Sequence, residues 1–183
     1  MISRKSAVLL LVIQLVLVLS VAAQFLLDRE TCPRIWIRAK VVDPVTPLRG
    51  RYLALEPLID GCSLLHQKPF YSYPESVRNS TTFFSQWDVT IHAEHGQLIP
   101  QKWQLGEPRY TTMVVRYHSN EPCTRMHLSP GIDFYIPDNA TQVVNLKHGQ
   151  ELWVEATIPH SGPPRPINLA ISDASGFRPL RFE

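Results

Sequence analysis

Glycine and charge are both in short supply in this chain. Its 183 residues include only eight glycines against sixteen prolines. That balance argues against long soluble helices and for short strands joined by ordered loops. The formal net charge is +2, and Arg4 and Lys5 account for it; after Leu27, 16 basic residues face 16 acidic ones. There is no basic tract, so nothing here makes an electrostatic footprint for nucleic acid. A phosphate-cradling glycine loop and a Gly-x-Ser-x-Gly elbow are both missing. No internal repeat occurs, and no sequence motif calls for a cofactor. Hydrophobic residues make up 44%, enough for a core. The length suits one domain better than two.

What is present begins with a long apolar run. Ser6 to Leu27 is 22 residues without a charge, with Gln14, Ser20 and Gln24 as its larger polar interruptions. As a helix it would span about 33 Å, enough to cross a bilayer core of ~30 Å. The expectation is therefore a transmembrane anchor over 1–27, lodged in the lipid bilayer through 6–27, and an exported body over 28–183. A cleaved secretory signal is the alternative, because Val21-Ala22-Ala23 places small residues where signal peptidase cuts. In either case the basic flank stays in the cytoplasm. Asp28 to Thr31 reads as a short polar link.

Cys32 to Cys62 reads as a β-hairpin with a long loop, Asp43 to Arg51, punctuated by Pro44, Pro47 and Gly50. Placing Val42 opposite Tyr52 sets Arg38 against Glu56, Arg34 against Asp60 and Cys32 against Cys62. On the other face Val41 meets Leu53, Ala39 meets Leu55 and Ile35 meets Ile59. Opposed residues on antiparallel strands suit a disulfide. The expected bridge is Cys32–Cys62, with Cys123 left free. Pro57 is the weak point, since it cannot donate to a ladder.

Farther along, Ser63 to Ser85 is irregular, with a short helix at Glu75 to Ser80. Trp87, Val89, Ile91 and Ala93 alternate with polar residues as in a half-buried strand. Strands follow at Tyr110–His118 and Ile132–Ile136, separated by a loop from Ser119 to Pro130. The last third is a meander, with Leu152, Val154, Ala156 and Ile158 on one face and Ile167, Leu169 and Ile171 on another. Asp173 to Gly176 turns the chain, and Phe177 to Phe182 closes it. The expected fold is mainly β, an N-terminal transmembrane helix followed by a small antiparallel β-sandwich or open barrel.

Few residues form chemical constellations. His92 and His95 look like metal ligands, but residues three apart on a strand point to opposite faces, so no metal site is expected. His118 and His127 flank Cys123, without a catalytic-cysteine context. Phe70, Tyr71 and Tyr73, with Phe83, Phe84, Trp87 and Trp103, fit either a stacking platform or ordinary core. Asn79-Ser80-Thr81 and Asn139-Ala140-Thr141 match a glycosylation acceptor pattern that often arises by chance. Arg49 and Arg51 fit a loop docking an acidic partner or lipid headgroup, or an internal Arg49–Asp43 pair.

Leu48-Arg49-Gly50-Arg51-Tyr52-Leu53-Ala54-Leu55 resembles the GDYXXLXY family of bacterial membrane-anchored proteins of uncharacterised function. Val42-Asp43-Pro44 and Phe134-Tyr135-Ile136-Pro137-Asp138 resemble that family's pattern as well. Arg51 stands where the family name has Asp, and Pro57 where it has the final Tyr. The resemblance implies a single-pass protein of the bacterial inner membrane with a periplasmic C-terminal domain, and an integral-membrane partner. Asp43, Arg49, Gly50, Arg51, Tyr52 and Leu55 are the residues it offers for partner binding, and it implies no reaction. Three readings follow. The first is a non-enzymatic envelope protein that binds a membrane or envelope partner. The second is a periplasmic module binding a sugar or peptide on the aromatic segment. The third is a hydrolase built on His92, His95 or Cys123.

Overall fold

In a computed structural model the described residues are 4–43, 52–77, 80–106, 112–136, 146–159 and 162–182. Residues up to Cys32 form one compact unit and those from Pro33 onward a second.

The first unit is the helix α1, Arg4–Thr31. Its apolar side chains are exposed on every side, and by length and composition it could insert in a lipid bilayer. Two hydroxyls within it are satisfied internally. Ser20 donates to the Leu17 carbonyl at 2.8 Å and Thr31 to the Leu27 carbonyl at 2.7 Å. Asp28 to Thr31, expected as a link, continues the helix. Pro33 stops it by disfavouring the helical region at Cys32.

Among the described residues the second unit is one antiparallel sheet of eleven strands. They are β1 (Arg34–Asp43), β2 (Tyr52–Ile59), β3 (Tyr71–Val77), β4 (Ser80–Glu94), β5 (Gln97–Lys102), β6 (Met113–His118), β7 (Met126–Ser129), β8 (Ile132–Tyr135), β9 (Glu151–Thr157), β10 (Arg165–Asp173) and β11 (Gly176–Pro179). The order across the sheet is β11-β10-β9-β1-β2-β7-β6-β4-β3, with β8 on β2 and β5 on β4. The fold expected from the sequence is present: a long apolar helix and a mostly β body built on an open antiparallel sheet. The sheet curls enough for β5 to approach β1 and β2, and β8 to approach β10. Its inner face carries one core, from Ile35, Ile37, Leu53 and Leu55 through Trp87, Val115 and Leu128 to Val154 and Leu169.

Several local expectations change. The β3–β4 hairpin occupies the region expected to be irregular, and Glu75 to Val77 are strand, not helix. Strand β7 lies inside the supposed Ser119–Pro130 loop. Strand β5 was not foreseen. It follows a tight turn in which His95 (φ 51) and Gly96 (φ 77) both take left-handed angles, the geometry of a two-residue hairpin. Ile167 is only partly buried, because a bulge between Pro166 and Asn168 lifts it out of alternation.

The first hairpin forms in a different register. Arg38 faces Leu58, Ala39 faces Pro57, Lys40 faces Glu56 and Val41 faces Leu55. The shift from the expected pairing is two residues. An even shift keeps every side chain on its face, so the core face is as expected. Lys40 now stands opposite Glu56, and Arg34 pairs with Thr157 of β9 instead of Asp60. The bulge sits between Val41 and Asp43, not at Pro57. Pro57 has another place. The far side of β2 pairs with β8 over Tyr52–Leu55 and with β7 over Leu58–Ile59. The partner thus changes across Glu56–Pro57, where Pro57 offers no N–H to a ladder.

Candidate functional site

The site lies on the outer face of the sheet, away from the core. Successive registers align one row across it: Trp153 of β9, Arg38 of β1, Leu58 of β2, His127 of β7 and Arg116 of β6. An outward row of this kind is ordinarily wet. His127 is 6% exposed because something covers it.

The cover is the connection from β6 to β7. The chain turns with Glu121 N–H donating to the His118 carbonyl at 2.9 Å, then makes a short 3-10 turn, Cys123–Arg125. A disulfide joins Cys123 to Cys62, which opens another 3-10 turn just after β2, with Cα atoms 4.8 Å apart. The Gly61 N–H also donates to the Cys123 carbonyl at 3.0 Å. A Cβ on Gly61 would run into the sulfur of Met126, so the strand end and the cover are packed closely. The observed bridge replaces the expected Cys32–Cys62 pair; Cys32 is the unbridged cysteine and is buried. The reason is the sheet order. Leu58 faces His127 and Ile59 faces Met126, and the same register continued three residues puts Cys62 opposite Cys123. That pairing joins strands far apart in sequence, which hairpin reasoning cannot reach.

Pinned in this way, the connection lays Glu121 on His127. The Glu121 carboxylate and His127 Nε2 are 2.7 Å apart. On the other side His127 Nδ1 lies 2.9 Å from Glu56 Oε2, an ion-pair distance but off the line of an N–H hydrogen bond. A neutral imidazole has one N–H and serves one carboxylate; the imidazolium serves both. The His118 ring meets His127 edge-on at 5.8 Å between centroids and Phe84 at 5.1 Å.

Two cavities meet at this cluster, sharing Lys40, Glu121 and His127. The larger, of about 430 Å³, has an apolar wall of Leu58, Pro122 and Leu146. Its rim is an ion-pair group in which Glu151 meets Arg38 Nε at 3.1 Å and Arg125 Nη2 at 2.6 Å. Arg38 also lies over the Trp153 ring, 5.3 Å from its centroid. The smaller cavity, about 370 Å³, is polar and includes Glu56, Arg116 and His118. Arg116 Nη2 donates to Ser129 Oγ at 2.7 Å. Both volumes fall in the range of small-ligand pockets.

The residues singled out in the sequence are scattered. Arg49, Gly50 and Arg51 lie outside the described residues, as do Asn79, the Asn139 sequon and the Asp43 and Tyr73 side chains. Tyr52 is half-buried beside Tyr135, with centroids 6.4 Å apart. Leu55 is core, 1% exposed. His92 and His95 are both exposed, one on β4 and one in the turn. Among the described residues no group of three His, Cys, Asp or Glu is placed to hold a metal. The Cys123 sulfur is committed to the disulfide, which removes it as a thiol nucleophile. The aromatic segment divides. Trp87 is core, whereas Phe70 and Tyr71 are exposed and meet edge to face at 4.5 Å. Beside them Lys68, Asp88, Lys102 and Trp103 border a cavity of about 220 Å³.

Sequence reasoning missed Lys40, Glu56 and Glu121. The available signal was His127 between Met126 and Leu128, a polar residue on a short apolar strand just after a Pro-Cys turn. Compared with known proteins, the chain matches no family model, no curated protein and no solved structure. The apolar helix, as anchor or signal, and the disulfide together mark a membrane-anchored or secreted extracytoplasmic protein.

Proposed function

We propose that this is a non-enzymatic binding protein of the bacterial envelope. Residues 6–27 hold it in the inner membrane, and the β domain meets a membrane or envelope partner in the periplasm. The likeness of Leu48–Leu55 to the GDYXXLXY family belongs to this proposal. The observation that carries the reading is the pair of cavities meeting on His127. A cleft that joins an apolar wall to a few fixed polar groups, on a cross-linked frame, is built for recognition. Arg38 and Arg125 are held by Glu151, and Glu56 and Glu121 by His127, which suits holding a ligand in register.

A second reading rests on the exposed Phe70 and Tyr71 beside the 220 Å³ cavity, where a sugar or peptide would stack. Photo-crosslinking in native membranes separates the two. A benzophenone amino acid at Leu146 captures the partner if the cleft is the site. Capture from Tyr71 and not from Leu146 supports the second reading and overturns the first. Capture from neither overturns both.

A further inference from the structure

We infer that the cleft takes a single-chain amphiphile with an anionic head, its chain in the larger lobe and its head at Lys40. This rests on the proposal that the cleft is the binding site. Four cationic side chains border the two lobes: Arg38, Lys40, Arg116 and Arg125. Arg38 and Arg125 share Glu151, and Arg116 is bonded to Ser129. Lys40 differs. It is exposed, it stands where the lobes meet, and among the described residues its ammonium makes no ion pair. Glu56, its neighbour across the strands, is turned to His127 instead. The charges in the cleft that lack an anionic partner, Lys40 and Arg116, are therefore both positive, and Lys40 stands beside the Leu58, Pro122 and Leu146 wall.

That pairing selects the ligand chemistry. An apolar chain gains from the wall, at roughly fourfold tighter binding for each methylene buried. The head needs negative charge above all, because Arg38, Arg125, Glu151, Glu121 and His127 already serve one another, whereas Lys40 and Arg116 have no anion. A carboxylate and a phosphate monoester both meet the requirement, one from a fatty acid and the other from a lipid headgroup.

The test uses the full chain in zwitterionic lipid nanodiscs, titrated calorimetrically against empty discs. The probes are butanoate, hexanoate, octanoate, octyl phosphate and octylammonium. Saturable binding that strengthens from butanoate to octanoate, and is lost with octylammonium, is the expected result. Octanoate alone assigns a fatty acid and octyl phosphate alone a phosphate headgroup; either supports the inference. Lys40→Gln should weaken anion binding about tenfold, and Lys102→Gln, outside the cleft, should leave it unchanged. Three results would overturn it: no saturable binding, equal binding of octylammonium, or a Lys40→Gln protein that binds as tightly as the parent. Thermal unfolding of both variants checks that they fold. If no anion binds while a crosslinker at Leu146 still captures a partner, this inference fails and the cleft reading stands. If both experiments are blank, both fail.

Discussion

Replacing His127 by Leu tests whether the buried imidazole ties three elements together. The change puts an apolar side chain of similar size at the position and removes both ring nitrogens. It deletes the 2.7 Å contact to Glu121 and the 2.9 Å contact to Glu56, leaving two carboxylates around an apolar group. A hydrogen bond to a charged partner contributes about 1.5–3 kcal/mol. The Glu121 contact is a direct hydrogen bond, but that side chain is 35% exposed, so solvent takes it toward the lower end. The Glu56 contact is misaligned and adds less, and the new leucine recovers part of the loss by burial. The net destabilisation should be about 2 kcal/mol, which for a domain of this size lowers Tm by roughly 4–8 °C. Tryptophan fluorescence during thermal unfolding of the full chain in nanodiscs measures it. A double-mutant cycle with Glu121→Gln should return a coupling of about 1 kcal/mol. A loss below about 0.5 kcal/mol, or a coupling of zero, would refute the reasoning, because the cluster would then be adjacent but not interacting.

Three further outcomes are expected. Non-reducing peptide mapping should recover a Cys62–Cys123 peptide. Removing that bridge opens a sequence separation of 61 residues and should cost about 4 kcal/mol by chain entropy, while Cys32→Ser keeps the parent's sensitivity to reductant. Asp173 gives a pH signature. Hydrogen bonds from the Ser175 side chain, then Gln150 and the Ser175 backbone, hold its carboxyl at about 2 instead of 3.8. A carboxyl lowered on folding contributes stability that is present above about pH 4 and lost as pH falls toward 2. Asp173→Asn should therefore flatten the dependence of the urea midpoint on pH across that window. Finally, external protease should digest the β domain in spheroplasts, and sequencing the mature N-terminus should find α1 still attached; a start at Gln24 would convert the anchor to a signal.

How much of this was legible beforehand follows from range. The apolar run, the Trp87–Ala93 alternation and the Leu152–Ile158 face are local periodicities, and each became the element it foretold. Parity in the first hairpin was also legible, since Ile35, Ala39, Leu53 and Leu55 all face the core. The register was not. Two alternatives two residues apart bury the same side chains, so the apolar pattern does not choose between them. The disulfide and the cleft depend on β2 lying between β1 and β7, a neighbour relation spanning more than sixty residues. Glu56, Glu121 and His127 have no shared spacing in the sequence; the sheet order alone brings them together.

The central claim is that the cleft exists because the Cys62–Cys123 bridge holds Glu121 over His127. Hydrogen exchange of the full chain in nanodiscs, with and without a phosphine reductant, tests it most directly. On reduction, amides of 119–128 should exchange faster first and by the largest factor, while 151–157 and 165–173 lag behind. Exchange in 119–128 that rises no more than in those two strands, with both thiols shown to be free, would contradict the account.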